Sequence, residues 1–142
     1  MHFHCPWIRP CGLIAALFVV VAGCGADKPL VPVAGRVTYA GGDWPMAGYI
    51  TFTPLESPGS TPARPGSSRF QPDGTFVVGS YKPGDGLMPG RYSISVSCFD
   101  VNTTKPRDEA EYVPKDFRPE ELVIEKGQDS VELNFDVPKK KT

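Results

Sequence analysis

Two stretches of this chain alternate apolar and polar residues with period two, and that spacing confines them to strands with one buried and one wetted face. Tyr92, Ile94, Val96 and Cys98 alternate with Arg91, Ser93, Ser95 and Ser97, and Val131, Leu133, Phe135 and Val137 alternate with Glu132, Asn134 and Asp136. A helix would scatter these apolar side chains around its circumference; a strand collects them on one side. The same reading puts Val33, Gly35, Val37 and Tyr39 on one face of a first strand, and Ile50 and Phe52 on one face of a second. Shorter strands are expected at Ser68 to Phe70, at 75–81 (TFVVGSY) and at 121–125 (ELVIE), which brings the count to seven.

The chain has 142 residues, enough for one core, and its 15 glycines and 16 prolines leave little room for a long helix. Turn chemistry separates the strands: Asp73-Gly74 within QPDGT is a strong hairpin signal, and MPGRY at 88–92 and EKGQD at 125–129 have the same character. Two connections are longer than a hairpin needs. Residues 54–67 are rich in Pro, Ser and Gly and read as a mobile loop, while residues 100–119 mix acids with bases and read as a second long loop. An all-β sandwich follows. If successive strands reverse direction, the Trp44 turn, the Asp73-Gly74 turn and the 100–119 loop emerge at the end opposite the amino-terminal tether.

Ahead of this body, residues 13–22 (LIAALFVVVA) have the length of a signal-peptide core, are preceded by Arg9, and are shorter than a membrane span requires. Val21-Ala22-Gly23-Cys24 resembles the bacterial lipobox. That resemblance implies a signal peptide over residues 1–23, cleavage between Gly23 and Cys24, a diacylglyceryl group on the Cys24 thiol, and a further acyl chain, such as palmitate, on the new amino group. Several acyl chains together anchor stably where one does not. The other readings of the segment are a plain secretory signal with an incidental cysteine, and an uncleaved anchor. Residues 24–32 then form the lipidated cysteine and a proline-bearing tether, residues 33–137 the folded domain, and residues 138–142 a basic tail. Gly25 stands where enterobacterial lipoproteins carry an inner-membrane retention aspartate, so the expected location is the bacterial envelope, facing outside the cytoplasm, with the outer membrane favoured.

Residues 33–54 (VAGRVTYAGGDWPMAGYITFTP), 73–78 (DGTFVV) and 86–96 (GLMPGRYSISV) resemble the carboxypeptidase regulatory-like family, also described as transthyretin-like or prealbumin-like. The resemblance implies a seven-stranded Greek-key β-sandwich that serves as a structural, spacing or adhesive module, with no catalytic residues to carry over. Transthyretin-related hydroxyisourate hydrolases need histidines and a YRGS-type terminus, whereas this chain ends VPKKKT.

The residues agree with a non-catalytic role. Both histidines, His2 and His4, precede Cys24, so the mature chain offers no imidazole base for a serine or cysteine nucleophile. Cys98 is the sole cysteine of the body, which excludes a disulfide framework and a cysteine-rich zinc site, and no metal or other cofactor is expected. A net charge of −1 gives no electrostatic case for nucleic acid. Five residues remain as binding candidates. Trp44 is either a stacking platform for a glycan or protein partner, with Tyr39 or Tyr49 beside it, or an aromatic folded over the open end of the core. Asp73, Asp108, Glu109 and Glu111 are hard oxygen donors that suit calcium, or simply turn and solvated-loop residues. The expected partners are the membrane, through the lipid, and an envelope protein or glycan. A small solute- or calcium-binding lipoprotein using the far loops is the alternative.

Overall fold

The structure, a computed structural model, describes residues 29–56 and 62–141. The expected signal peptide, its cleavage site at Gly23 and Cys24, the first part of the expected tether and residues 57–61 lie outside the described residues. Among the described residues, seven strands and one short helix run in the order β1 (Val33–Tyr39), β2 (Gly48–Glu56), β3 (Gly66–Phe70), β4 (Thr75–Val77), β5 (Gly90–Ser97), α1 (Arg107–Ala110), β6 (Leu122–Ile124) and β7 (Val131–Val137). They form two sheets, one ordered β4-β1-β7 and the other β3-β2-β5-β6. All pairings are antiparallel except β1 with β7, which run parallel from Val33↔Val131 to Tyr39↔Val137. The protein is therefore an all-β sandwich.

The alternating faces meet in one core. Val33, Val37, Phe76, Val78 and Val137 face Ile50, Phe52, Phe70, Tyr92 and Ile94, all of them buried. Each of the larger side chains contributes about 1.5–3 kcal/mol relative to leaving it in water. Tyr92 brings a polar atom into this core, and its hydroxyl donates to the Met88 carbonyl at 2.8 Å, holding the chain just before β5. Burial raises the Tyr92 pKa above its ordinary value.

Strand directions sort the connections to two ends. The chain enters beside Leu87, where Val31 exchanges two backbone hydrogen bonds with it, at 2.8 and 3.0 Å. Val31 is buried at 3% exposure, so the packed body already includes Val31, two residues ahead of the expected start at Val33. At the opposite end, β1 turns at Ala40 and Gly41, both with positive φ, and Tyr39 and Gly42 exchange backbone bonds across that tight turn. The Asp73-Gly74 turn and the exit of β5 share this far end.

Several boundaries depart from the sequence reading. The 75–81 strand stops at Val77, because Gly79 crosses to the other sheet and exchanges backbone bonds with Ser67 at 3.0 and 3.1 Å. The turn expected at Met88 to Tyr92 lies earlier, at Lys82 to Asp85, and Gly90 already belongs to β5. There the Asp85 carboxylate accepts the amides of Ser80, Lys82 and Tyr81 at 2.8, 2.8 and 3.1 Å. The 54–67 connection is also shorter than expected, since β2 runs to Glu56 and β3 starts at Gly66. Pro54 is tolerated inside β2 because it lies past the last β2 to β3 pair, Phe52↔Gly66.

Replacing Tyr92 by Phe keeps the ring and strands the buried Met88 carbonyl. Tyr92→Phe is expected to lower unfolding free energy by about 1–2 kcal/mol with an unchanged denaturant slope in urea titrations; an effect under a few tenths would show that the bond contributes nothing.

Candidate binding site at the far end

The far end is built on the two backbone groups of Val37. Its N–H donates to the Gly74 carbonyl at 3.0 Å, and its carbonyl accepts the indole N–H of Trp44 at 2.8 Å. Gly74 holds φ +84°, and a Cβ there would lie 1.9 Å from the Val37 oxygen, so this turn, which carries the chain from β3 in one sheet to β4 in the other, needs glycine for room as well as for backbone angle. The amide of Trp44 donates to Pro72 at 2.7 Å, which joins the two turns directly. Arg36 spans them from outside, its Nε on the Asp73 carbonyl at 2.6 Å and its Nη2 on Asp43 at 3.0 Å.

Trp44 is thus a core residue, 3% exposed, and its ring is not available as a stacking platform. It stacks on Tyr39 at 4.9 Å between ring centres and tilts against Phe70 at the same distance. Tyr112 meets Tyr39 edge-on at 6.0 Å. These four rings plug the end of the sandwich, and Tyr39 and Tyr112, both half-buried, are the ones that reach its surface. Burial raises the pKa of both phenols. Tyr49, the other aromatic considered beside Trp44, is 57% exposed and sits on the opposite side of β2 from the core residues Ile50 and Phe52.

The four carboxylates are divided between two elements. Asp73 belongs to the turn, where its Oδ1 accepts both the amide and the hydroxyl of Thr75, at 3.0 and 2.8 Å. Those bonds, with the charge of Arg36 helping, hold its pKa below the usual carboxylate range. Asp108 and Glu109 lie on α1, a single turn in the 100–119 connection. The Lys115 ammonium, 3.3 Å from the Asp108 carboxylate, lowers that group's pKa.

Glu111 works differently: its Oε1 accepts the amides of Cys98 and Val113 at 2.8 and 3.2 Å. The Tyr112 amide donates to the Cys98 carbonyl at 2.9 Å, and the Asp100 amide to Ala110 at the same distance. Residues 110–113 are therefore clasped to the exit of β5 and bury Ala110 and Val113, so this connection is partly core and not simply a solvated loop. Further along, Phe117 stacks on Phe135 of β7 at 6.3 Å. Among the described residues, no group of three or more His, Cys, Asp or Glu is gathered within reach of one metal ion.

Two features escaped the sequence reading. One is Asp85, whose capping role was signalled only by the Pro-Gly pair just before it. The other is the clasp by Glu111, which no local spacing announces because its partner is thirteen residues away.

Cys98 sits beneath the clasp at 1% exposure, and burial, reinforced by the charge of Glu111, pushes its pKa up to about 11. An unfolded thiol ionises near pH 9, so the folded protein holds this proton more tightly. The resulting stability is complete below pH 9 and is lost as pH rises through 11. Urea unfolding is expected to show stability falling over that window, and Cys98→Ala to flatten the early part of the fall; an unaltered profile in the variant would contradict the buried, protonated thiol.

Compared with protein-family models, with curated proteins and with solved structures, the chain finds no match.

Proposed function

We propose that this protein is a bacterial envelope lipoprotein: a transthyretin-like, Greek-key β-sandwich fastened by Cys24 and facing outside the cytoplasm, with the outer membrane its favoured site. Its work is non-catalytic, as a structural module or as one that binds an envelope protein or glycan.

The observation that carries this reading is the polarity of the fold. The chain enters at Val31 at one end, while the turns at Ala40-Gly41 and Asp73-Gly74 and the exit of β5 lie at the other. A domain tethered by its amino terminus would hold that second set of features away from the bilayer. The sandwich type is supported by the division into three and four strands and by β1 pairing with β4 and β7 instead of its sequence neighbour. The absence of histidine after His4 supports a role without general-base chemistry. Calcium is the weaker ligand reading, because Asp73, Asp108 and Glu111 already have amide or ammonium partners.

Metabolic labelling with a clickable fatty acid tests the anchor. The full chain is expected to carry the label and to fractionate with membranes, and Cys24→Ala to lose both; a variant that stayed labelled and membrane-bound would overturn the assignment.

A further inference from the structure

The edge of β5 is interrupted. In an antiparallel ladder a residue directs its N–H and its carbonyl to the same neighbouring strand, and successive residues alternate. Ser67 of β3 uses both groups on Gly79, so Gly66, Ser68 and Phe70 face β2. It follows that Gly48, Ile50 and Phe52 face β3, and that Tyr49, Thr51 and Thr53 face Ser97, Ser95 and Ser93 of β5. Tyr92, Ile94, Val96 and Cys98 must then point to the other side of β5. Cys98 confirms the parity independently, since its amide meets Glu111 and its carbonyl meets Tyr112.

On that side β6 pairs with β5 only as far as Tyr92↔Leu122, and the next partner is the clasp at Cys98. Between them, Ile94 and Val96 present two N–H groups and two carbonyls to which no described segment is paired. A groove of about 400 Å³ runs beside this gap, lined by Ile94 and Val96, by Val113, Pro114 and Phe117, and at its rim by Lys115 and Arg118.

We propose that this gap is a docking site for an extended, acidic segment of a partner protein, which adds a short strand between β6 and the clasp. Main-chain bonds to Ile94 and Val96 supply affinity, and alternate side chains of the segment lie against Val113, Pro114 and Phe117. Charge gives the acidic preference. Glu111, the carboxylate lining the groove, is turned onto two amides, while Lys115 and Arg118 stand at the rim. Lys115 is held by Asp108 in an exposed pair, a contact worth little and easily exchanged. Size argues against a second copy of this chain as the occupant. The stretch from Tyr92 to Cys98 spans about 20 Å of strand and is stopped at both ends, so a single short segment fits where a sheet edge does not.

This proposal rests on the reading of the protein as a binding module and is independent of lipidation, so failure of the Cys24 test leaves it standing. The probe is a fluorescein-labelled heptapeptide of alternating valine and threonine flanked by aspartates, titrated into the full chain by fluorescence anisotropy. Nitrogen-15 amide spectra locate the contact. Saturable binding is expected, with shifts centred on Ile94, Val96 and Phe117. N-methylation of the peptide's alternate amides is expected to abolish binding, and asparagine in place of the aspartates, or Lys115→Glu in the protein, to weaken it about tenfold. No saturable binding, equal binding of the N-methylated or asparagine-flanked peptide, shifts centred on β7, or self-association of the chain through this gap would each overturn the proposal.

Discussion

A sheet leaves unpaired N–H and carbonyl groups along its edges, and a sandwich of three and four strands has two flanks on which those groups must be met. This requirement organises the molecule. On one flank the chain solves it with backbone alone: Gly79 leaves β4, crosses to Ser67 of β3, and ties the two sheets together. That crossing explains why β4 is three residues long. On the other flank no strand among the described residues performs the same service. The connection between β5 and β6 does it instead, through Glu111 and Tyr112 on Cys98 and through Phe117 on Phe135. Closure by side chains and short segments covers less edge than a strand would, and the gap at Ile94 and Val96 is the consequence.

The far end is tied together for related reasons. Val37, in the middle strand of its sheet, directs one hydrogen bond to each of the two turns, and the indole of Trp44 fills the space between them. An aromatic side chain with its polar atom satisfied can close a core without leaving a buried donor unpaired. Among the described residues, no buried side-chain nitrogen or oxygen lacks a partner. This end therefore offers a surface framed by Tyr39, Tyr112 and the carboxylates of α1, with the long 100–119 connection packed against it at Ala110 and Val113.

What could be read from the sequence was the part governed by local periodicity. The alternation at 91–98 and 131–137 identified β5 and β7, and Asp73-Gly74 identified a turn, which joins β3 of one sheet to β4 of the other and is not the hairpin that its residues suggest. The all-β class followed from these. Alternation was less informative about depth: Val131, Leu133 and Phe135 face inward yet are only half-buried, because the flank they occupy is covered by Phe117 and not by a full strand. Trp44 carried two readings in the sequence, and the decision between them came from Val37, a residue with no local signal of its partner. Glu111 belonged to an acidic run that read as solvated, and its amide partner on Cys98 became visible only once the chain had folded back. Long-range pairings of this kind have no periodic signature, so boundaries, clasps and edges were the features that sequence reasoning missed.

If one flank of the sandwich is closed by a clasp that stops short of β6, the difference lies in four successive outward amides, those of Tyr92, Ile94 and Val96 in β5 and of Cys98 just past its end. Residue-resolved hydrogen exchange on the full chain tests it most directly. The amides of Tyr92 and Cys98 are expected to be protected by β6 and by Glu111, while those of Ile94 and Val96 between them exchange far faster. Uniform protection across all four would show that the edge is continuous, and would contradict a clasp that stops short.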